Sequence, residues 1–199
     1  IWISLDDGWK NNLSNGFPVV KKFSIPVTLY ISTGSLKSPG IFWPSYIRKM
    51  RSFLPEPFKT NPKLLWKISD GKRRIIVNWL LKTFPNSTCR QSLNQEDLKY
   101  MSEENLITFG SHTVDHVITP NCSSQVIRNE IRESKIHLEN LTGKKVVDFS
   151  YPNGNYDGRE TTHLKEEGYY SAATTVEEFI NVPFDNFAIP RRCVDPEDA

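Results

Sequence analysis

The chain has 199 residues, of which 38% are hydrophobic and 24% are charged, and its 25 Lys and Arg against 23 Asp and Glu give a formal charge of +2. A chain of this length buries about 70% of the surface of its unfolded form, so it can fold without a disulfide or a structural metal. The near-neutral charge and the short, scattered basic clusters argue against a nucleic-acid-binding protein that depends on phosphate neutralisation. We therefore expect one globular domain over residues 1–199, in which any bound metal has a functional and not a structural role.

The beginning of the chain suggests a part of a longer protein. Residue 1 is Ile, and residues 1–5 already have the pattern of a buried strand. No apolar run reaches the roughly 20 residues that span a bilayer, so we expect no transmembrane segment in residues 1–199. A signal peptide, an anchor and neighbouring domains could therefore all lie outside residues 1–199.

Strand and helix patterns then alternate along the chain. Apolar residues at helical spacing predict a helix that ends near Ser24, and residues 26–32 predict a strand. Residues 42–84, divided by prolines, predict a helical insertion with its best helix at 70–82. The remaining predicted elements are a helix at 95–104 capped by Asn94, a strand at 106–110, a helix at 124–141 ended by Gly143, a strand at 146–151, a helix at 157–167, a strand at 169–174 and a short edge at 187–190. This α/β alternation predicts a parallel sheet or barrel with its site at the carboxyl ends of the strands.

Two clusters of metal-ligand residue types follow predicted strands. Asp6, Asp7 and Gly8 come directly after the first strand, and both carboxylates reach one site only if the strand ends there. His112 and His116 follow the strand at 106–110, and their spacing of four would place both imidazoles on one side of a helical turn. The alternatives are an ordinary polar turn and two unrelated surface histidines.

A third ligand would complete a catalytic zinc site, in which two imidazoles and one carboxylate leave a position open for water. Asp7 is the expected ligand and Asp6 the expected base that accepts a proton. Asp115 is an alternative ligand or hydrogen-bond acceptor, less favoured because it lies between the two histidines. We expect Zn²⁺, although Co²⁺ or Ni²⁺ suits the same ligands.

A third cluster, at residues 149–156, follows the strand at 146–151. It contains Tyr151, Pro152 and Asn153 and has the composition of an ordinary turn. Its functional interpretation is the wall of a substrate groove, because aromatic rings stack on sugar faces and an exposed backbone N–H in a tight turn can bind an oxyanion.

Together these clusters resemble the motifs of the polysaccharide deacetylase family, the NodB-homology domain of carbohydrate esterase family 4. Residues 4–8 resemble its Thr-Phe-Asp-Asp-Gly motif, residues 112–116 its His-Thr-x-x-His motif, and residues 151–154 the Tyr-Pro-Tyr-Gly motif of one subgroup. The resemblance implies a distorted (β/α) barrel with about seven strands or fewer. It also implies an enzyme that removes acetyl groups from N-acetylated sugars of a glycan, and it favours a location in the cell envelope or outside the cytoplasm.

The same resemblance implies roles for individual residues. Asp7, His112 and His116 would hold the metal, and Asp6 would be the general base. The Asn153 backbone N–H would bind the oxyanion, with Tyr151 and Pro152 at the substrate.

Two departures from the family pattern concern Asp6 and the general acid. Ser150 occupies the position of an Arg that orients the catalytic Asp in many members, and Arg191, in an Ile-Pro-Arg element like the Leu-Pro-Arg of the subgroup, is the expected substitute. His137 and His163 fall within predicted helices and match no family motif. The general acid that would protonate the departing amine is therefore expected upstream of residue 1.

Two other functions remain open at this point. A deacetylase-like domain could bind glycan without turnover, using aromatic residues such as Trp9, Trp43, Tyr151 and Tyr156. A metallohydrolase of another amide or ester would use the same metal ligands.

Overall fold

The fold is built on five parallel strands in one sheet. It is seen in a computed structural model, which describes residues 2–180 and 182–194. The strands lie side by side in chain order and are β1 (Ile3–Leu5), β2 (Val27–Ile31), β3 (Ile107–Ser111), β4 (Asp148–Ser150) and β5 (Ser171–Ala173). Ile1, the first residue of the predicted opening strand, lies outside the described residues.

Curvature of the sheet brings distant strands together. In a flat sheet, β1 and β4 would lie about 14 Å apart, three times the usual strand spacing. The Ser150 hydroxyl at the end of β4 nevertheless donates a hydrogen bond to Asp6 Oδ2, just beyond β1, at 3.2 Å. The sheet is therefore a curled half-barrel, and the predicted distorted (β/α) barrel is confirmed.

Six α-helices accompany the sheet in the described residues. They are α1 (Phe17–Phe23), α2 (Trp43–Lys49), α3 (Asp70–Thr83), α4 (Gln95–Ser102), α5 (Ser124–Thr142) and α6 (Arg159–Glu166). A π-helical turn at Asn12–Gly16 precedes α1. Short 3₁₀ turns lie at Thr33–Leu36, Arg51–Phe53, Pro62–Trp66, Pro85–Ser87, Thr119–Asn121 and Pro152–Gly154.

Two helix ends follow the predicted capping chemistry. Asn94 Oδ1 accepts from the Asp97 N–H and Asp97 Oδ2 accepts from the Asn94 N–H, both at 2.8 Å, so a capping box begins α4. At the other end of α5, Gly143 adopts φ +67°, the left-handed conformation that ends a helix at little cost for glycine. The predicted edge at 187–190 is reduced to a single parallel bridge between Ile189 and Ala173.

The apolar core is divided between the sheet and residues 42–84. All five residues of β2 are buried, and the main cluster packs the sheet against α1, α4, α5 and α6. A second cluster gathers Trp43, Tyr46, Leu65 and Leu80 with Ile118 from the scaffold. Residues 42–84 thus bury an apolar cluster of their own, while their status as an insertion in the 1–199 domain stays a prediction.

No helix in the described ranges is long and apolar enough to cross a bilayer.

Candidate active site

A sharp turn at the end of β1 brings Asp6 and Asp7 to the same end of the sheet. The Gly8 N–H donates to the Asp6 carbonyl at 3.0 Å, and both Asp7 (φ +73°) and Gly8 (φ +86°) adopt left-handed backbone conformations. Few residue types other than glycine, asparagine and aspartate adopt this conformation readily. The Asp7 carbonyl accepts from the Ser32 N–H at 3.2 Å, which ties the turn to the end of β2.

The loop after β3 carries His112 and His116, and it is irregular rather than helical. Thr113 (φ +65°) and His116 (φ +49°) both have left-handed backbone conformations, so the predicted helical turn is wrong. A carboxylate on α5 holds the loop in this irregular conformation. Glu130 Oε2 accepts hydrogen bonds from the Val114 and Asp115 N–H groups at 2.8 and 2.9 Å.

The two imidazoles nevertheless meet the same carboxylate. His112 Nε2 and His116 Nε2 lie 3.3 and 3.1 Å from Asp7 Oδ1, and one ligand atom from each of these three residues lies within 4.8 Å of the others. His112 Nδ1 donates to the Ser150 carbonyl at 2.7 Å, which orients the ring with its Nε2 toward Asp7. Trp9 Nε1 donates to Asp7 Oδ2 at 2.8 Å and fixes the carboxylate. We refer to Asp7, His112 and His116 as the Asp-His-His cluster.

Burial and hydrogen bonding set the charges of this cluster. Burial alone would raise the pKa of Asp7, but hydrogen bonds from His112 and His116 outweigh it and hold that pKa well below its usual value. Burial lowers the pKa of His116, which therefore carries a neutral imidazole at pH 7. Burial lowers the pKa of His112 too, but the hydrogen bond with Asp7 and the charges of Asp6 and Asp7 outweigh burial and raise it. A metal ion that binds here would therefore displace a proton from His112.

Asp6 lies outside the cluster because an arginine binds both of its oxygens. Arg191 Nη1 and Nη2 donate to Asp6 Oδ1 and Oδ2, each at 2.7 Å, and Arg191 Nε donates to the Thr174 carbonyl at 2.9 Å. Ser150 completes the arrangement, since its Oγ donates to Asp6 Oδ2 at 3.2 Å and accepts from Arg191 Nη2 at 3.0 Å. Burial alone would raise the pKa of Asp6. The hydrogen bond and the charge of Arg191 help to outweigh burial and hold that pKa below its usual value, so the carboxylate is ionised.

The third motif, at residues 151–154, exposes fewer of its predicted substrate-contacting residues than expected. The Tyr151 side chain is 0% exposed, donates its hydroxyl to the Phe187 carbonyl at 2.9 Å and stacks on Tyr156 at 4.6 Å. The prediction that the Tyr151 ring contacts substrate is therefore wrong, and Pro152 is also buried. Asn153 is exposed, with φ +58° and ψ 13°, so it is the one residue of these three that a ligand can reach.

Trp43 also differs from the expected exposed aromatic. It is buried, and its Nε1 donates to the His116 carbonyl at 2.9 Å. Its ring therefore supports the loop after β3 instead of presenting a face to glycan.

Glu130 and Arg74 support the loop after β3, and the sequence patterns identified neither. Glu130 is 6% exposed, and its Oε1 accepts from Arg74 Nη2 at 2.8 Å. Arg74, on α3, also pairs with Asp70 and with Asp115. The alternative ligand Asp115 is thus paired with an arginine outside the Asp-His-His cluster. The sequence signal that could have identified Glu130 is a carboxylate on the buried face of α5, one residue before the buried Ile131.

The two remaining histidines lie in helices, as predicted. His137 in α5 is 3.4 Å from Gln95 Nε2, and His163 in α6 is 3.5 Å from Glu166. These contacts place both imidazoles with partners other than Asp6 and Asp7.

Comparison with known proteins identifies the family of this chain. The family model described as polysaccharide deacetylase matches residues 1–172. The chain belongs to the polysaccharide deacetylase family. This deacetylase-family chain is 24% identical over 199 residues to the poly-beta-1,6-N-acetyl-D-glucosamine N-deacetylase of Staphylococcus epidermidis, an alignment that covers 96% of the chain and 53% of that protein.

Solved structures share its fold. The Streptococcus pyogenes deacetylase PplD, in complex with acetate, has a TM-score of 0.67 at 17% identity, covering 100% of this chain and 67% of that one. IcaB from Ammonifex degensii has a TM-score of 0.65 at 18% identity, covering 98% and 68%. The chain spans about half the length of the curated relatives it matches, 44% and 53% of two of them.

The role of Glu130 can be tested by Glu130→Gln, which keeps the side-chain volume but removes the charge. We expect the free energy of unfolding to fall by about 1–3 kcal/mol, because two loop N–H groups and Arg74 lose an ionised acceptor in a buried site. Urea unfolding measures the change. Glu133→Gln, at an exposed position one turn away on α5, is the control and should change it by less than about 0.5 kcal/mol. Equal losses in the two variants would contradict the role.

Proposed function

We propose that this family member is a metal-dependent hydrolase that removes N-acetyl groups from the sugars of a polysaccharide. The observation that carries the proposal is the separation of two adjacent carboxylates into two environments. Asp7 lies between two imidazoles, whereas Asp6 is held beside them by Arg191. Membership of the polysaccharide deacetylase family supports an acetylated glycan as the substrate class.

The donor set fits a divalent cation. The Nε2 atoms of His112 and His116 approach one oxygen of Asp7, and the Ser150 carbonyl engages the opposite nitrogen of His112. These residue types and this number of ligands suit zinc, and they also accept Co²⁺ or Ni²⁺. When bound, the ion would polarise the acetyl carbonyl and increase the acidity of a water molecule.

Asp6 is suited to accept the proton of the attacking water. Its ionised carboxylate is fixed by Arg191 and Ser150 and is not needed by the Asp-His-His cluster. As the water oxygen bonds to the acetyl carbon, one water proton passes to Asp6 and the carbonyl electrons move onto its oxygen. Asn153 is an exposed residue, and its backbone N–H is proposed to donate a hydrogen bond to that oxyanion. The C–N bond then breaks and the nitrogen takes up a proton, so acetate and a free amine are the products.

Metal dependence can be tested with His116→Gln. We expect zinc content, measured by elemental analysis of protein purified without added metal, to fall from about one ion per chain to a small fraction of this, because one of three ligands is lost. His163→Gln, which changes a histidine in α6, serves as the control and should retain the ion. Full zinc content in the His116 variant, or activity that survives chelation, would disprove the assignment.

The role of Asp6 can be tested with Asp6→Asn. We expect acetate release from an N-acetylated oligosaccharide to fall by about 10²–10⁴-fold, the usual contribution of a positioned base, while zinc content stays unchanged. Asp157→Asn, on the loop before α6, should leave both quantities unchanged. Undiminished acetate release in the Asp6 variant would rule out the proposed base.

Arg191 is proposed as a positioning residue, and Arg191→Lys tests it. A lysine cannot bind both Asp6 oxygens in parallel, so we expect kcat to fall at least tenfold with KM changed less than twofold. The neighbouring Arg192→Lys is the matched control. A rise in KM with unchanged kcat would instead indicate a role in substrate binding.

A further inference from the structure

Residues 42–84 carry an excess of positive charge that the near-neutral charge of the whole chain does not show. They contain ten Lys and Arg against two acidic residues, Glu56 and Asp70, so their formal charge is +8. The rest of the chain carries −6, and the two parts together give the +2 of the whole. A charge asymmetry of this size within one chain indicates that the basic part interacts with a negatively charged surface.

Most of this positive charge is available to a partner. Arg73 and Arg74 are compensated by carboxylates of the protein itself. The other eight Lys and Arg of residues 42–84 are all exposed. None of these eight pairs with a carboxylate in the part of the chain that the structure describes. An anionic partner can therefore approach them without displacing an ion pair.

One side of α3 combines this charge with exposed apolar side chains. Lys72, Ile75, Trp79 and Lys82 recur every three or four positions, which places them on one side of the helix. All four are exposed, Ile75 to 70% and Trp79 to 45%. A different side of α3, which includes the buried Leu80, packs into the apolar cluster of residues 42–84. The helix is thus held by its buried side, and its basic and apolar side faces solvent.

A turn beside the carboxyl end of α3 extends this surface. The ring of Phe53 is 49% exposed and lies 4.4 Å from the ring of Phe84, which directly follows α3. Lys49 Nζ donates to the carbonyl of Ser87, three residues after Phe84. Arg51 lies in the same 3₁₀ turn as Phe53. We refer to Lys49, Arg51 and Phe53, together with the exposed side of α3, as the basic face.

The composition of the basic face favours a lipid bilayer over a soluble polyanion. At a membrane surface, an indole ring lies at the level of the headgroups, and a lysine stem follows the apolar boundary while its ammonium group reaches a phosphate. An exposed isoleucine gains free energy by leaving water for the acyl boundary, and a nucleic acid or an acidic polysaccharide offers it little apolar surface. The sign of the charge selects anionic phospholipids, because each Lys or Arg near such a surface strengthens binding about fivefold.

From this combination we infer that the basic face binds the surface of a membrane that contains anionic phospholipids. The side chains of Phe53, Ile75 and Trp79 enter the headgroup region, and the cations around them contact lipid phosphates. Arg74, which joins α3 to the loop after β3, lies on a different side of the helix. Binding through the basic face therefore leaves that loop uncovered by α3's membrane-facing side. This inference goes beyond the proposed function and does not depend on it.

Sedimentation with vesicles tests the basic face. We expect a partition coefficient at least tenfold higher for vesicles with about one third phosphatidylglycerol than for phosphatidylcholine alone, and we expect it to fall as salt screens the charges. The double variant Lys72→Gln/Lys82→Gln should bind the anionic vesicles at least tenfold more weakly.

The matched control is Lys21→Gln/Lys22→Gln on α1, which removes the same charge beside another exposed aromatic residue, Phe23. It should change binding less than twofold. No binding to anionic vesicles, equal binding to both kinds of vesicle, or equal losses in the two double variants would overturn the inference.

Tryptophan fluorescence locates the contact on α3. Emission should shift to shorter wavelength when anionic vesicles are added, because an indole ring leaves water. Trp79→Phe should remove most of this shift while it keeps at least half of the binding. Trp2→Phe is the control, because Trp2 is exposed to a similar degree, 43%, and lies outside residues 42–84. A shift that persists in Trp79→Phe would contradict contact through this side of α3.

Ile75→Ser distinguishes a membrane from a soluble polyanion. We expect it to weaken binding to anionic vesicles about fivefold or more and to leave binding to heparin and to single-stranded DNA unchanged. Heparin or DNA that binds more tightly than vesicles, with no effect of Ile75→Ser on vesicle binding, would assign the basic face to a polyanion and overturn the inference.

A solution assay separates this inference from the proposed function. Acetate release from a soluble N-acetylated oligosaccharide should be the same in Lys72→Gln/Lys82→Gln as in the wild-type protein. Vesicle binding without any acetate release refutes the deacetylase proposal and keeps the membrane-binding face. Acetate release by a protein that does not bind anionic vesicles refutes the membrane-binding face and keeps the deacetylase.

Discussion

Two adjacent, largely buried carboxylates at the end of β1 impose the constraint on which the site depends. Removing a carboxylate from water is costly unless it is paired and hydrogen-bonded, and the like charges of Asp6 and Asp7 also repel each other. The chain compensates each one separately. Two imidazoles and an indole N–H surround Asp7, and a guanidinium and a hydroxyl bind Asp6. The compensating groups come from the loops after β1, β3 and β5 and from the end of β4, so the curvature of the sheet is a requirement of the site.

This separation also gives the two carboxylates different chemical uses. The pairing of Asp7 leaves it in a group of three residues that could hold a metal ion, and the pairing of Asp6 leaves it an ionised, fixed acceptor. The positive φ of Asp7 is the local backbone cost of placing both side chains at one end of the strand. Backbone strain, sheet curvature and charge compensation thus act on the same two residues.

Much of the fold could be predicted from the sequence because its signals are local. The cap at Asn94, the glycine at 143 and the strand patterns act within a few residues, and the structure agrees with them. The convergence of His112 and His116 was expected from their spacing, but a loop held by Glu130 produces it instead of a helical turn. The helical pattern around Glu130 does not show from which distant N–H groups its carboxylate will accept hydrogen bonds. The Arg191–Asp6 pair spans 185 residues and came from family resemblance, because no local pattern predicts it. The Tyr151 ring was wrongly predicted to contact substrate, because the sequence of a turn motif does not show whether an aromatic ring in it faces the core or the solvent.

Arg74 connects parts of the molecule that appear separate in the chain. It lies on α3, pairs with Asp115 in the loop that carries both histidines, and pairs with Glu130 on α5. Residues 42–84, joined in this way to the loop after β3, cannot be exchanged independently of that loop. Transplanting residues 42–84 from another family member would remove the positive charge that Asp115 and Glu130 share, unless the donor segment carries an arginine at the matching place. A change in residues 42–84 that removes Arg74 therefore also changes the charge balance of the loop that carries both histidines.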